Sequence, residues 1–288
     1  MFIGLDVGGT NLKGVRVSPA GKIEDSLIIP AGGRIPRAAL FDAIAMTVEN
    51  LATDGPPGGV GLAFGGALQP DGTMHGGSTN LPNLVDVPLA ATFTDLLGIP
   101  CRIEHDGRAA MRGEAWTGAA RGLRNAMIIT FGTGIGAGLL LDGRVHSGAH
   151  LASGEIGLWR LNARPDVGEW LPLEEIAAPG RIALRRGVDF ASLFSGWQRG
   201  DAASGVAGIF EQIGRAIANA HLLLDLEMVV LFGAVVVLGE PFRRAIEEGF
   251  LNACPEGLRH GLQVRFGALG PLAGAIGAAA LFREESRA

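Results

Sequence analysis

The sequence predicts an α/β chain built from two similar lobes. Three observations carry that expectation: an apolar strand that runs into a glycine turn within the first residues, a second copy of that pattern in mid-chain, and alternating strand and helix signals between them. In the first copy, Phe2, Ile3 and Leu5 carry Asp6 to a Gly8-Gly9-Thr10 turn, and Lys13, Val15 and Val17 lead away. In the second, Ile128 to Leu141 repeats the motif, and a shift of 124 positions lays Thr130 on Asp6, Gly132 on Gly8 and Gly138 on Gly14. A duplication of that period predicts two lobes, each presenting a phosphate loop to a shared cleft. Glycines there are expected to supply both unusual φ values and a close approach of backbone N–H groups to phosphate oxygens. Asp6 has a counterpart carboxylate in neither Thr130 nor its neighbours, so the lobes divide the work, and Asp6 is placed to hold Mg²⁺ or a metal-bound water. Taken alone, either segment also fits a glycine-rich hairpin. The Walker lysine pattern is absent and no Gly-x-Gly-x-x-Gly follows the first strand, so neither a P-loop nor a dinucleotide fold is indicated.

Element by element, strands are expected near 2–7, 11–18 and 22–29, then a helix near 35–52 with Pro36 in its first turn and Leu40, Ile44 and Val48 at helical spacing. Asp54 to Gly59 breaks the chain before a strand at Val60–Phe64. A helix near 88–97 ends at Gly98, a strand follows near 101–104, and a helix starts near Asp106 and crosses to the second lobe. Three strands, then helix–strand–helix–strand, is the order of a ribonuclease-H-like lobe. The hairpin at 126–145 restarts that order. Residues 150–200 read as irregular, a substrate-facing insertion. A long helix near 206–225 precedes the strand Met228–Phe232, which enters a third glycine turn at Gly233-Ala234, suited to approach a nucleotide. Pro271 opens a closing helix over Leu272–Phe282. The expected division is therefore 1–106 for the first lobe, 107–270 for the second, and 271–288 for a closing helix folded back on the first.

Composition narrows the class. A chain of 288 residues with 48% hydrophobic residues can bury two cores and is not disordered. No apolar run approaches the roughly 20 residues that span a bilayer, and no basic leader precedes the first strand, so a cytoplasmic protein without membrane contact is expected. Cys101 and Cys254 belong to no Cys-x-x-Cys pair and read as buried free thiols. Net charge is −5 and the basic residues are scattered, which gives nucleic-acid binding no support. Lys13 and Lys22 are the only lysines, so the lysine of the phosphate motif stands out.

Polar clusters supply the chemistry. His105-Asp106 lies where a strand ends and a helix begins; Asp106 suits a helix N-cap, and the helix N-terminus would keep its carboxylate ionised and ready to accept a proton. Phosphoryl transfer to an alcohol needs little more than such a base, Mg²⁺ and charge-stabilising donors. Asn80, in the turn-rich Gly76–Asn83, can both donate to and accept from a hydroxyl pair, or form an Asx-turn. Glu155 sits between Gly154 and Gly157, and Glu174 and Glu175 follow. The histidines lack metal-ligand spacing, and no Gly-x-Ser-x-Gly nucleophile motif occurs.

Together these motifs closely resemble the ROK family (repressor, open reading frame, kinase) over nearly the whole chain. Asp6, Gly8, Gly9, Thr10 and Lys13 match its first phosphate motif, and Gly132, Thr133 and Gly134 its second. Gly65-Gly66 with Pro70-Asp71-Gly72 is similar to its substrate-loop glycines, and Thr79-Asn80-Leu81-Pro82 to its sugar-contacting segment. By the same resemblance His105-Asp106 stands where the family has Asn-Asp, Ser153–Gly157 matches the sugar-binding segment containing Glu155, Glu174 aligns with a later sugar contact, and Gly233-Ala234 with the adenosine side. The resemblance implies an actin-like ATPase fold and an ATP- and Mg²⁺-dependent sugar kinase, glucokinase-like, acting on a small-molecule sugar with Asp106 as base and Asp6 on Mg²⁺, and working as a homodimer. It also leaves a sugar-responsive regulator or a weakened sugar-binding protein as rivals; the regulator is disfavoured because the phosphate strand begins at Phe2, with no helix-turn-helix before it. Two departures matter. The family's histidine after Glu-Ile-Gly is Leu158 here, and its cysteine-rich zinc loop is replaced by Ala163–Pro172 without cysteine, so no structural zinc is expected.

Overall fold

The computed structural model describes residues 1–31, 35–74, 81–164, 169–200 and 206–283. They divide into two compact units: residues 1–122, 145–153 and 268–288 form the first, and 123–144 and 154–267 the second.

The first unit contains β1 (Phe2–Val7), β2 (Leu12–Val17), β3 (Ile23–Ile29), α1 (Arg37–Leu51), β4 (Val60–Phe64), α2 (Leu89–Leu97), β5 (Cys101–His105) and α3 (Asp106–Thr117). Its sheet runs β3-β2-β1-β4-β5, antiparallel through β1–β3 and parallel from β1 to β5. That is the ribonuclease-H-like order the sequence predicts. β1 and β4 are buried along their whole length because both faces of the sheet are covered. One face packs α1 and α2 through Leu40, Ile44, Leu51 and Phe93, all of them fully buried.

A late segment of the chain covers the other face. The closing helix is shorter than expected: the α-helical part is only Ala273–Ala279, with single 3₁₀ turns at 270–272 and 280–282. It approaches the sheet with no side-chain layer between them. A β-carbon on Gly4 or Gly61 would collide with the carbonyls of Ala275 and Ala278 respectively, and one on Gly277 with the carbonyl of Ala109 in α3. Helix α3 therefore belongs to the first unit, whereas a boundary at residue 106 would separate it from the helix it packs against.

The second unit holds β6 (Ala126–Phe131), β7 (Ile135–Leu141) and the short β8 (Arg144–His146), then β9 (Arg160–Arg164), β10 (Glu169–Pro172), α4 (Leu173–Ala177), α5 (Pro179–Arg186) and α6 (Phe190–Gln198), then α7 (Val206–Leu224), β11 (Met228–Gly233), α8 (Gly239–Ala253) and β12 (Gln263–Phe266). The order β12-β11-β6-β7-β8 repeats the first sheet's pattern, with β6 antiparallel to β7 and parallel to β11. Its core centres on the ring cluster Phe131, Phe194, Phe210 and Phe242. Residues 150–200 are not the irregular insertion expected: a hairpin and three short helices occupy them, each too brief to show a long hydrophobic period. Cys254 is buried and Cys101 half-buried, its thiol pushed up to about 11 chiefly by burial. Among the described residues no helix is long and apolar enough to cross a membrane.

One of these backbone contacts yields a test. Gly61→Ala forces β4 and the closing helix apart, and overpacking of this kind costs about 1–3 kcal/mol. Chemical unfolding should show a lower midpoint for this variant, while Gly257→Ala, whose β-carbon would meet nothing within 4 Å and whose φ is not left-handed, leaves the midpoint little changed.

Candidate active site

Strand register assembles the first half of the site. Parallel pairing sets Asp6 beside Ala63 and aligns Val7, Phe64 and His105 across β1, β4 and β5. The carboxyl ends of the three strands thus release Gly8, Gly65 and Asp106 at one edge of the sheet, where open α/β sheets bind their ligands.

The turn after β1 is closed by the Gly8 N–H donating to the Asn11 carbonyl at 3.0 Å. Across the hairpin Lys13 pairs with Asp6, and its Nζ lies 2.8 Å from Asp6 Oδ2. Gly8, Gly9, Gly132 and Gly134 do not take left-handed φ values, and a β-carbon on Gly132 would meet nothing within 4 Å. Gly66 and Gly233, at φ 142° and 107°, do take them.

Asp6 is buried, and burial raises its pKa; Lys13 opposes the rise, and the charge of Asp106 adds to it. Asp106, by contrast, has a side chain 48% exposed on the first turn of α3. Its Oδ1 accepts from the Gly107 N–H at 2.6 Å, and its Oδ2 lies 2.8 Å from where a β-carbon of Gly65 would sit. The helix cap is a correction to the sequence reading: His105 is the N-cap, its Nδ1 accepting from the Gly107 N–H at 3.3 Å, and Asp106 is the first helical residue. The same bond assigns the His105 proton to Nε2 when the ring is neutral.

Sequence reasoning missed what fixes this corner. Glu104 and Arg108 are buried and joined, Arg108 Nε to Glu104 Oε1 at 2.7 Å, and Glu104 Oε1 also accepts the His105 N–H at 2.9 Å. Their spacing of four was the available signal, although it ordinarily marks an exposed pair within one helix. Buried Glu114 likewise accepts N–H groups from Ala119, Ala268 and Leu269, tying α3 to the closing segment.

In the second unit the Gly132 N–H donates to the Gly134 carbonyl at 3.1 Å to close the second turn. Gly233 pairs with Phe131 at the ends of the parallel strands β11 and β6, and a side chain there would strike the Phe131 carbonyl, so glycine is required on two counts. Ala234 follows directly in a 3₁₀ turn. Glu174, on the first turn of α4, brings sugar and phosphate motifs together: its Oε2 lies 2.5 Å from a β-carbon position on Gly134 and 3.2 Å from one on Gly157. Arg181 holds the other oxygen of Glu174 at 2.8 Å and also pairs with Glu175. Gly180, beside it, rests on the Gly132 carbonyl and Thr133 Cα. Glu155 is exposed just before a 3₁₀ turn at Ile156–Leu158, and Leu158 is 59% exposed. Thr79 and Asn80 lie outside the described residues.

The donor chemistry fits a divalent ion that arrives on phosphates. Mg²⁺ in such sites keeps waters and phosphate oxygens and takes one or two carboxylates, and Asp6 is a carboxylate beside a phosphate-sized turn. Among the described residues no three His, Cys, Asp or Glu side chains converge into an all-protein metal site.

Two ribonuclease-H-like units, each with a strand–glycine turn–strand at the same place in its sheet, define a protein of the actin-like ATPase fold. Comparison with known proteins gives the family. The ROK family model matches residues 2–181, and the chain belongs to that family. It is 28% identical over 315 residues to the glucokinase of Halalkalibacterium halodurans, covering 99% of this chain and 95% of that one. It is 28% identical over 243 residues to the N-acetylmannosamine kinase of Citrobacter koseri, covering 81% and 83%. Among solved structures, the ROK hexokinase of Thermus thermophilus superposes with a TM-score of 0.86 at 26% identity, covering 100% of this chain and 99% of that one.

The burial of Asp6 has a measurable consequence. Its folded pKa lies above the unfolded value, so its contribution to stability is full in acid and is lost as pH rises through the folded pKa. Asp6→Asn mimics the protonated form at every pH. Thermal melts from pH 4 to 7.5 should show the Tm of the variant gaining on wild type as pH rises; a constant difference would mean the burial carries no such cost.

Proposed function

We propose that the chain is an ATP-dependent sugar kinase that transfers the γ-phosphoryl group to a hydroxyl of a hexose or amino sugar, the 6-hydroxyl being the acceptor. The observation behind this reading is the half-exposed Asp106 carboxylate on a helix N-terminus, at the same sheet edge as the buried Asp6–Lys13 turn. One carboxylate is open to a substrate hydroxyl and the other is buried against the Lys13 ammonium. That is the division of labour a phosphoryl transfer to an alcohol requires.

In this mechanism Asp106 accepts the hydroxyl proton as the sugar oxygen bonds to the γ-phosphorus and the bond to the β,γ-bridging oxygen breaks, releasing ADP. Asp106 is held on the first turn of α3 by the Gly107 N–H. His105, Thr79, Asn80, Glu155, Glu174 and the Gly66 turn orient the sugar. Lys13 and the turns at Gly8–Thr10 and Gly132–Gly134 meet the phosphates, and Gly233-Ala234 the nucleoside. Mg²⁺, when bound, neutralises charge on the phosphate oxygens, and Asp6 is the residue that would hold it. The kinship with a glucokinase and an N-acetylmannosamine kinase supports a sugar acceptor of this class.

Two measurements test the reading. A positioned base contributes about 10²–10⁴-fold, so Asp106→Asn should lower kcat at least roughly 100-fold in a coupled ADP-release assay while sugar binding largely persists. Near-normal turnover would remove Asp106 from the mechanism. Leu158 bears on selectivity, since an exposed apolar side chain three residues from Glu155 offers a sugar no hydrogen bond. An unpartnered hydroxyl costs about 1–3 kcal/mol, or roughly 5- to 150-fold. Leu158→His should therefore shift the ratio of kcat/KM between glucose and N-acetylated amino sugars by an amount in that range. An unchanged ratio across glucose, mannose and their N-acetylated amines would free Leu158 of any role.

A further inference from the structure

We infer that Arg108 is a positioning residue that locks the base-bearing turn of α3 to the loop 146–153, so that this loop holds the base in place. The inference rests on the role proposed above for Asp106.

Arg108 lies two residues after the base and is only 1% exposed, the largest fully buried side chain among the described residues. Its guanidinium spans two elements. Nε bonds Glu104 Oε1 at 2.7 Å, and Nη1 bonds the carbonyl of Leu151 at 2.7 Å, 43 positions along the chain. Glu104 also accepts the N–H of His105, so the carboxylate anchoring Arg108 fixes the residue directly before the base. At the far end, Leu151 has φ of 56°, a left-handed conformation that costs energy for a branched side chain. The loop around it is closed by Ser153 Oγ donating to the His146 carbonyl at 2.7 Å and by the Ser153 N–H donating to the Ser147 carbonyl. Three residues after Leu151 the Gly154-Glu155 segment begins.

Burying a guanidinium is costlier than burying an apolar side chain of equal volume, so packing alone does not explain this arginine. What it supplies is a rigid fork that holds a carboxylate and a carbonyl at once, and a charge-assisted bond to the carbonyl of a residue whose backbone would otherwise relax. A lysine keeps the charge but, as a point donor on a flexible stem, cannot hold both ends in the same geometry.

Arg108→Lys separates positioning from mere folding. Small displacements of reacting groups cost up to about 100-fold in rate. In ADP-release kinetics the variant should show sugar kcat/KM lowered about 10- to 100-fold, with the KM for ATP within about twofold of wild type. Hydrogen exchange should quicken in the peptide 147–155. A folded variant with wild-type sugar kinetics and unchanged exchange there would overturn the inference, as would an equal loss toward ATP. If Arg108→Lys does not fold, the uncharged pair Glu104→Gln with Arg108→Met fills the site without the fork and is held to the same outcomes. If the wild-type protein releases no ADP with any sugar, the reading of function fails. Exchange in 147–155 alone then judges the tie: faster in Arg108→Lys upholds it, unchanged overturns it.

Discussion

Parallel pairing of β1, β4 and β5 is the constraint on which the candidate site depends. Because Val7, Phe64 and His105 are in register, three connections that are remote in sequence leave the sheet at one edge. A slip of one residue in any of these strands would turn its side chains to the opposite face, burying Asp6 elsewhere or pointing the α3 terminus away from it. The register of β1 and β4 is secured by Gly4 and Gly61, since a slip would set a side chain against the carbonyls of Ala275 and Ala278. The second unit solves the same problem with β6 and β11, whose ends bring Phe131 and Gly233 together beneath the second glycine turn.

Much of this arrangement is legible in the sequence, for a physical reason. Fully buried strands such as Phe2–Val7 and Val60–Phe64 are short apolar runs, and the glycines after them mark where backbones crowd. The duplication could be read because the Gly132 turn keeps the Gly8 spacing. Helices α4 to α6 could not, since pieces of five to nine residues show no hydrophobic period. The four-residue edge strand β12 was missed for a similar reason, with Gln263 and Arg265 exposed between Val264 and Phe266. Within the site, Asp106 and Glu174 announce themselves through neighbouring motifs. The Glu104–Arg108 tie does not, because its spacing is that of an ordinary surface pair and only the strand–helix junction buries it.

The two carboxylates of the first unit illustrate how one sheet edge gives like groups unlike properties. Asp6 is desolvated and answers to Lys13, while Asp106 faces solvent from a helix terminus. Neither environment is chosen by the residue itself; each follows from which side of the edge the chain leaves on. Glu174 adds a third arrangement, a carboxylate wedged against the backbone of Gly134 with Arg181 behind it, so that any movement of the glycine turn must also move an acidic group.

The close seat of Ala273–Ala279 on Gly4 and Gly61 has a consequence for synthesis. During translation the strands of the first unit emerge before the second unit, yet the surface they bury against the closing helix stays open until residues 273–279 have left the ribosome. The second unit, drawn from residues 123–267, has all of its own segments before then. At about 5–20 residues per second that interval lasts on the order of ten seconds or more, during which the Ala- and Gly-lined face of β1 and β4 is available to other chains. The lobe whose strands are made first is therefore the later of the two to be completed.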